Sequence, residues 1–219
     1  MKSYFDVLYQ CPLFEGLDNK ELHALFTCLS VKERNMQKDE LLLAAGDPPE
    51  QIGAVLSGRV YVVQEDYWGE RKILASIEEG GIFGEAFACA QAETLPVSVI
   101  ARQPGRILLF DCEKMLTPCA SSCGFHTVLI RNMMRILANK NIALTRKMEH
   151  ITKKTAREKV LSYLSEYAVL EGKAVFEIPF NRQEMADYLS IERSALSSTL
   201  GKMRNEGIID FYKNKFRIL

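Results

Sequence analysis

No stretch of this 219-residue chain is apolar enough to cross a bilayer. The longest apolar runs, at residues 40–45 and 106–110, fall far short of the roughly 20 residues a spanning helix needs. The N-terminus lacks the apolar region of a signal peptide, so the chain is expected in the cytoplasm with no membrane partner. Neither a low-complexity tract nor an excess of one charge is present, with 28 basic against 28 acidic side chains, which excludes a disordered polyelectrolyte. Histidine is scarce, and His23, His126 and His150 are too scattered to suggest the axial ligands of a haem sensor. There is no His-Asp-Ser set, carboxylate pair or phosphate loop, so no catalytic residue and no enzyme activity is expected. Cys11, Cys28, Cys89, Cys112, Cys119 and Cys123 are dispersed through a chain that is 47% hydrophobic and large enough to fold without staples. Free, mostly buried thiols are expected.

The missing net charge is a cancellation. Residues 1–130 hold 11 basic and 18 acidic side chains, a balance of −7, and residues 131–219 hold 17 and 10, a balance of +7. Counted whole, neutrality argues against a polyanionic partner; counted by segment, it predicts two modules, the second facing an anion.

From about Gln37 to Glu113, β-rich runs at 58–63, 71–77 and 105–110 alternate with glycines at 46, 53, 58, 69, 80, 81 and 84. Short strands with regular turn signals predict a sandwich or barrel-like roll. Asp18 caps a short helix ahead of it. A long helix is predicted from about Pro118 to His150. Ile130, Met134, Leu137, Asn141, Leu144, Met148 and Ile151 follow the alternating four-and-three spacing of a coiled-coil seam, and the lone Asn141 suits a two-stranded register. Leu129, Met133 and Ile136 offer a second apolar face. A helix apolar on two sides needs two things to bury against, so a parallel homodimer is expected, with one face on the roll and one on a second copy. Helix resumes over about 155–168, and a β-like stretch at 174–179 follows.

Asn181 with Glu184 three residues on is a capping box starting a helix from Arg182 to Leu189. After a break at Ser190 and Ile191, a second helix runs from about Glu192 to Asn205, with Ala195, Leu196, Thr199, Leu200 and Met203 on one stripe. Arg193, Ser194, Ser197, Ser198 and Lys202 form the opposite stripe, with no acid among them. Residues 208–211 and 215–219 predict a two-stranded wing. Helix, turn, helix and hairpin together predict a winged helix-turn-helix whose second helix enters the major groove of double-stranded DNA.

At this point the chain resembles the cyclic-AMP receptor protein/FNR family of bacterial transcription regulators. The resemblance rests on residues 11–17, the roll glycines around Leu56–Val60, residues 81–86, the long helix, residues 155–164 and residues 181–189. It implies an α+β architecture: an effector-sensing β-roll like a cyclic-nucleotide-binding jelly roll over 1–115, a dimerisation helix over 116–150 and a winged helix-turn-helix over 151–219. It further implies a pseudo-palindromic operator, RNA polymerase as a further partner, and an effector that re-aims the two recognition helices. The effector pocket so implied comprises Phe83, Gly84, Glu85, Ala86, Leu95, Pro96, Val97, Ile142 and Ala143.

Three departures from the family pattern refine this. Gly84 and Glu85 of the phosphate cradle are present, but Leu95 and Pro96 stand where the family's cation should fall, and Ile142 and Ala143 supply no hydroxyls. A buried cyclic phosphate would lack a charge partner, so the effector is expected to be a small molecule other than cyclic AMP. Second, the closely spaced N-terminal cysteines of iron–sulfur oxygen sensors are absent; Cys119, Cys123 and His126 could share one helical face, leaving metal or redox sensing as an alternative, although buried thiols are the simpler expectation and no metal site is assigned. Third, Ser194 and Ser198 replace the family's acid and second arginine, so the operator should differ while Arg193 retains a guanine contact. Arg182 and Gln183 are expected on phosphate.

Overall fold

The computed structural model describes residues 4–68, 71–117 and 124–219. They divide into two units, Met1–Ala138 and Asn139–Leu219, with one helix running through the boundary. No described helix is long and apolar enough to cross a membrane.

The first unit opens with α1 (Tyr4–Gln10), a 3-10 turn at Pro12–Phe14 and α2 (Asn19–Cys28). Asp18 starts α2 as expected: its carboxylate accepts from the Glu21 amide, and the Glu21 carboxylate accepts from the Asp18 amide. The roll follows as β1 (Lys32–Met36), β2 (Leu41–Leu43), β3 (Gln51–Glu65), β4 (Arg71–Ile77) and β5 (Ile82–Phe83), then α3 (Glu85–Cys89), β6 (Ser98–Asp111) and α4 (Cys112–Leu116). All pairings are antiparallel, in the order β1-β6-β3-β4, with β2 on β6 and β5 on β3.

β3 and β6 are longer than the runs expected from the sequence, because the glycines inside them do not end them. At Gly53 the strand continues under the ring of Phe83, which lies so close that a Cβ there would come within 2.0 Å of a ring carbon. The pair fills the roll interior together with Met36, Val55, Val60, Val99, Ala101 and Ile107. A second core, between the roll and the helices, joins Phe14, Leu22, Leu25, Ile52 and Phe110 to Leu129, Met133 and Ile136.

Those last three lie on α5 (Gly124–Ile151). Between them, Asn132 is only 5% exposed, and its Nδ2 donates to the carbonyls of Leu13 at 2.9 Å and Glu15 at 2.8 Å. Arg135, a turn further on, pairs with the Glu15 carboxylate.

The second unit contains the end of α5, then α6 (Ala156–Glu171), β7 (Val175–Glu177), α7 (Arg182–Leu189), α8 (Arg193–Asn205), β8 (Ile209–Tyr212) and β9 (Lys215–Ile218). Capping boxes at Thr155/Glu158 and Asn181/Glu184 start α6 and α7. The core of Val160, Tyr163, Leu164, Met185, Leu189, Leu196, Leu200, Met203 and Phe216 locks the three helices to the sheet. The wing expected as two strands has three: β7 pairs with β9 along Val175–Arg217, Phe176–Phe216 and Glu177–Lys215. The reason is Phe176, which stacks on Phe216 at 6.5 Å and draws the preceding segment into the sheet.

Replacing Asn132 by alanine removes the amide that donates to the Leu13 and Glu15 carbonyls. Stability is expected to fall by about 1–3 kcal/mol, measured as a lower urea midpoint at unchanged slope. A wild-type midpoint would show that water replaces the side chain and that Asn132 does not hold α5.

Candidate nucleic-acid interface and effector site

The corner between α7 and α8 joins the carbonyl-rich C-terminus of α7 to the amide-rich N-terminus of α8. Ser190 closes α7 in a left-handed conformation, φ 51°, and Lys159 of α6 donates from Nζ to the carbonyls of Leu189 and Ser190, both at 3.2 Å. A cation on a helix C-terminus offsets its partial negative charge. The corner fixes α8 so that Leu196, Leu200 and Met203 turn inward, while Arg193, Ser194, Ser197, Ser198 and Lys202 are all exposed.

Within that face the side chains are not equivalent. Ser194 donates to the carboxylate of Glu192, and Ser197 donates to the carbonyl of Arg193 at 3.0 Å. Arg193 and Lys202 form no ion pair among the described residues. Glu192 belongs to the helix N-terminus, so an acid borders the acid-free stripe.

Arg182 is placed differently from the α8 side chains. It is not a free surface cation: Nη2 donates to the Lys213 carbonyl at 2.7 Å, and the guanidinium lies 4.8 Å from the Phe211 ring centroid and 4.9 Å from that of Phe216. Burial against these rings holds its pKa below the ordinary arginine value. The residue therefore ties α7 to the wing, an attachment that sequence spacing could not disclose because its partners lie some thirty positions away. Gln183 is exposed, but its amide donates to Asp187 at 2.8 Å.

His150 went unassigned from sequence and has a defined place. It is 2% exposed, with Nδ1 hydrogen-bonded to Ser162 Oγ at 2.9 Å and Nε2 to Glu166 Oε2 at 2.7 Å. Arg146 reaches the other Glu166 oxygen at 3.2 Å. This network fastens the last turn of α5 to α6, and a histidine spaced twelve and sixteen residues from its partners gives no motif to find.

In the first unit, Gly84 takes φ 82°, which only glycine adopts without strain, and it opens α3 so that Glu85 is buried at 3% exposure. Leu95 is buried and clamped to the facing turn: its amide donates to the Asp47 carbonyl at 2.8 Å, and its carbonyl accepts from Gly46 at 2.9 Å. Val97 is likewise buried, Ala86 and Pro96 are exposed, and Phe83 is a core residue packed on Gly53. Leu95, at the position where the family resemblance implies a cation, offers a buried apolar side chain. Ile142 and Ala143 belong to the second unit, where Ile142 borders a cleft with Thr145, Glu149 and His150, and Ala143 borders one with Tyr163 and Tyr167. A cleft of about 560 Å³ in the first unit lies elsewhere on α3, against Pro48, Glu50, Gln91, Cys112 and Glu113. Sequence spacing did not indicate it.

Cys119 and Cys123 lie outside the described residues. His126 is buried, its Nε2 lying 3.8 Å from the sulfur of Cys28. Among the described residues no group of three potential metal ligands occurs.

Comparison with known proteins agrees with this anatomy. Residues 33–122 match the cyclic nucleotide-binding domain family, and residues 158–219 match the Crp-like helix-turn-helix domain family. Electron transport regulator A of Shewanella oneidensis is 24% identical over 86% of this chain and 74% of its own. The transcriptional activator protein FnrL of Cereibacter sphaeroides is 22% identical over 80% and 71%. Among solved structures, the c-di-GMP responsive global regulator CLP of Xanthomonas campestris aligns with a TM-score of 0.58 at 16% identity, covering 92% of this chain and 99% of that one. DNR from Pseudomonas aeruginosa aligns at 0.51 and 23% identity, covering 100% and 95%. These structures share the fold. A cyclic-nucleotide-binding-type roll followed on one chain by a Crp-like helix-turn-helix makes this protein a member of the Crp/Fnr family of DNA-binding transcription regulators, which are not enzymes.

Proposed function

We propose that the protein acts as a homodimer, paired along α5, that presents the two α8 helices to successive major grooves of a pseudo-palindromic operator under control of a small molecule other than cyclic AMP. The observation that carries the DNA-contact reading is the outward face of α8, where Arg193 and Lys202 stand exposed without an internal ion pair among the described residues. An arginine near the N-terminus of such a helix suits bidentate contact with a guanine edge, and Lys202 suits phosphate. Ser198, exposed on the same face, is small enough to accept several bases, while Ser194 and Glu192 are read as a coupled pair at the groove.

Support for pairing comes from the same helix. Met134, Leu144 and Met148 are 67%, 63% and 59% exposed and share the four-and-three spacing with exposed Asn141, while Ile130, Leu137 and Ile151 on the same spacing are half-buried, Leu137 against the first-unit core. The reading of the effector rests on the buried apolar side chains of Leu95 and Val97, at the position where the family resemblance implies a cation; these favour a ligand other than a cyclic phosphate.

Three outcomes test the proposal. On a duplex selected from a randomised pool, Arg193→Ala should weaken binding by about 1–3 kcal/mol and blur one base pair per half-site, whereas Arg182→Ala should lower chemical stability through the wing. Equal effects of the two substitutions on affinity and base preference would refute the docking. Sedimentation should show a dimer that Leu144→Glu converts to monomer; a dimer unchanged by that substitution would place the interface elsewhere. Titration calorimetry with cyclic AMP should give no saturable heat, and stoichiometric binding would overturn the effector reading.

A further inference from the structure

Two cysteines distant in sequence meet in the first unit. Cys89 ends α3 and Cys112 begins α4, and their sulfurs are 3.8 Å apart. The gap exceeds a disulfide bond of about 2.0 Å by less than the reach of a side-chain rotation. Both thiols are reachable: Cys89 is half-buried, and Cys112, though buried, lines the open cleft of about 560 Å³. The other described cysteines differ. Cys11 is sealed in the core, where burial pushes its thiol up to about 11, and Cys28 faces His126 rather than a second thiol.

We propose that Cys89 and Cys112 are a redox-active dithiol that closes reversibly to a disulfide on contact with a small-molecule disulfide of the glutathione type. The two sulfurs are inequivalent. Cys89 is the less buried of the two, and the contact between the sulfurs favours its thiolate against the opposing effects of burial and the Glu85 charge, while the same contact, with burial, raises Cys112. Cys89 is therefore the attacking thiolate. It bonds to one sulfur of oxidised glutathione, the glutathione S–S bond breaks, and the first glutathione leaves as a thiolate that takes a proton from water. With Cys89 held in a mixed disulfide, Cys112 no longer donates to a thiolate, and the largest cause of its raised pKa is gone. Cys112 then loses its proton to solvent and attacks Cys89 Sγ, and the second glutathione departs and is protonated. In net terms, the two protein thiols are oxidised by two electrons and one glutathione disulfide is reduced to two thiols. The new bond would fasten the far end of α3, the helix that begins at Gly84 and Glu85, to the residue that follows β6.

The experiment uses the full-length protein, reduced under anaerobic conditions and equilibrated in glutathione buffers of increasing oxidation, then alkylated and mapped by mass spectrometry under non-reducing digestion. Expected is the loss of two of the six alkylatable thiols, a peptide linking Cys89 to Cys112, and full recovery with dithiothreitol. Cys112→Ser should stop at a glutathione adduct on Cys89, and Cys89→Ser should leave Cys112 without adduct. Retention of all six thiols, linkage through other cysteines, or a glutathione adduct persisting on wild-type Cys89 would each overturn the proposal. The wild-type map decides even if a variant fails to fold.

Discussion

The rotation of α5 about its own axis is the constraint on which the rest of the protein depends, and Asn132 sets it. A buried amide must find acceptors, and here it finds the carbonyls of Leu13 and Glu15, so the helix cannot turn without losing both bonds. With Asn132 inward, Leu129, Met133 and Ile136 are carried into the core, and Met134 is carried out. Beyond Ala138 the division of labour ends. From Asn139 to Glu149 every residue but Lys147 is exposed, including Ile142, Leu144 and Met148. Leu144 and Met148, one turn apart, leave apolar surface on one side of the helix that is costly to keep in water, which is the physical ground for the proposed pairing with a second copy. The specificity of the inner face and the availability of the outer one are thus two results of a single orientation.

A different economy governs the roll. Phe83 occupies the space that Gly53 leaves by having no side chain, and Leu95 is locked to the turn at Gly46 and Asp47. The fold keeps the glycine–glutamate turn that opens α3 and buries the Glu85 side chain, while Leu95 and Val97 are buried apolar residues. Placing a phosphate there without a cation would cost several kcal/mol in desolvation, more than its remaining hydrogen bonds return. Selectivity against phosphate esters, in the proposed reading, therefore comes from what is missing. The redox pair proposed at the other end of α3 uses a part of the same helix that makes no demand on that interior.

How much of this was legible in the sequence follows the range of the interactions. Caps act over three residues, and Asp18, Asn181 and the α7–α8 segment were readable with bounds close to those observed. Heptad spacing likewise marked the inward face of α5, where Leu129, Met133 and Ile136 are buried, but it assigned Leu137 to the seam, and Leu137 packs against that same core. Contacts between distant segments left no pattern. The third strand of the wing depends on Phe176 meeting Phe216, Arg182 on the Lys213 carbonyl, Asn132 on a loop more than a hundred residues earlier, and Cys89 on Cys112. Glycines misled for a related reason: inside β3 they mark close approach of another element, which a turn signal resembles until the partner is known.

Charge shows the same difference between composition and arrangement. Dividing at Ala138 and Asn139 rather than at residue 130 moves Arg131 and Arg135 to the first unit, and the balance becomes −5 against +5. Even the +5 overstates what a duplex would meet. Arg146, Arg157 and Arg204 are paired with Glu166, Glu206 and Asp210, Lys159 serves the end of α7, and Arg182 serves the wing. A cation already neutralised inside the protein displaces no counterion from DNA, so only side chains such as Arg193, Lys202, Lys213, Lys215 and Arg217, all exposed, can contribute to the salt dependence of binding. Net charge of either half is thus a poor measure of affinity. In the proposed docking, whether the duplex is held depends on which cations the fold leaves without an internal partner, and among the described residues those on α8 are Arg193 and Lys202.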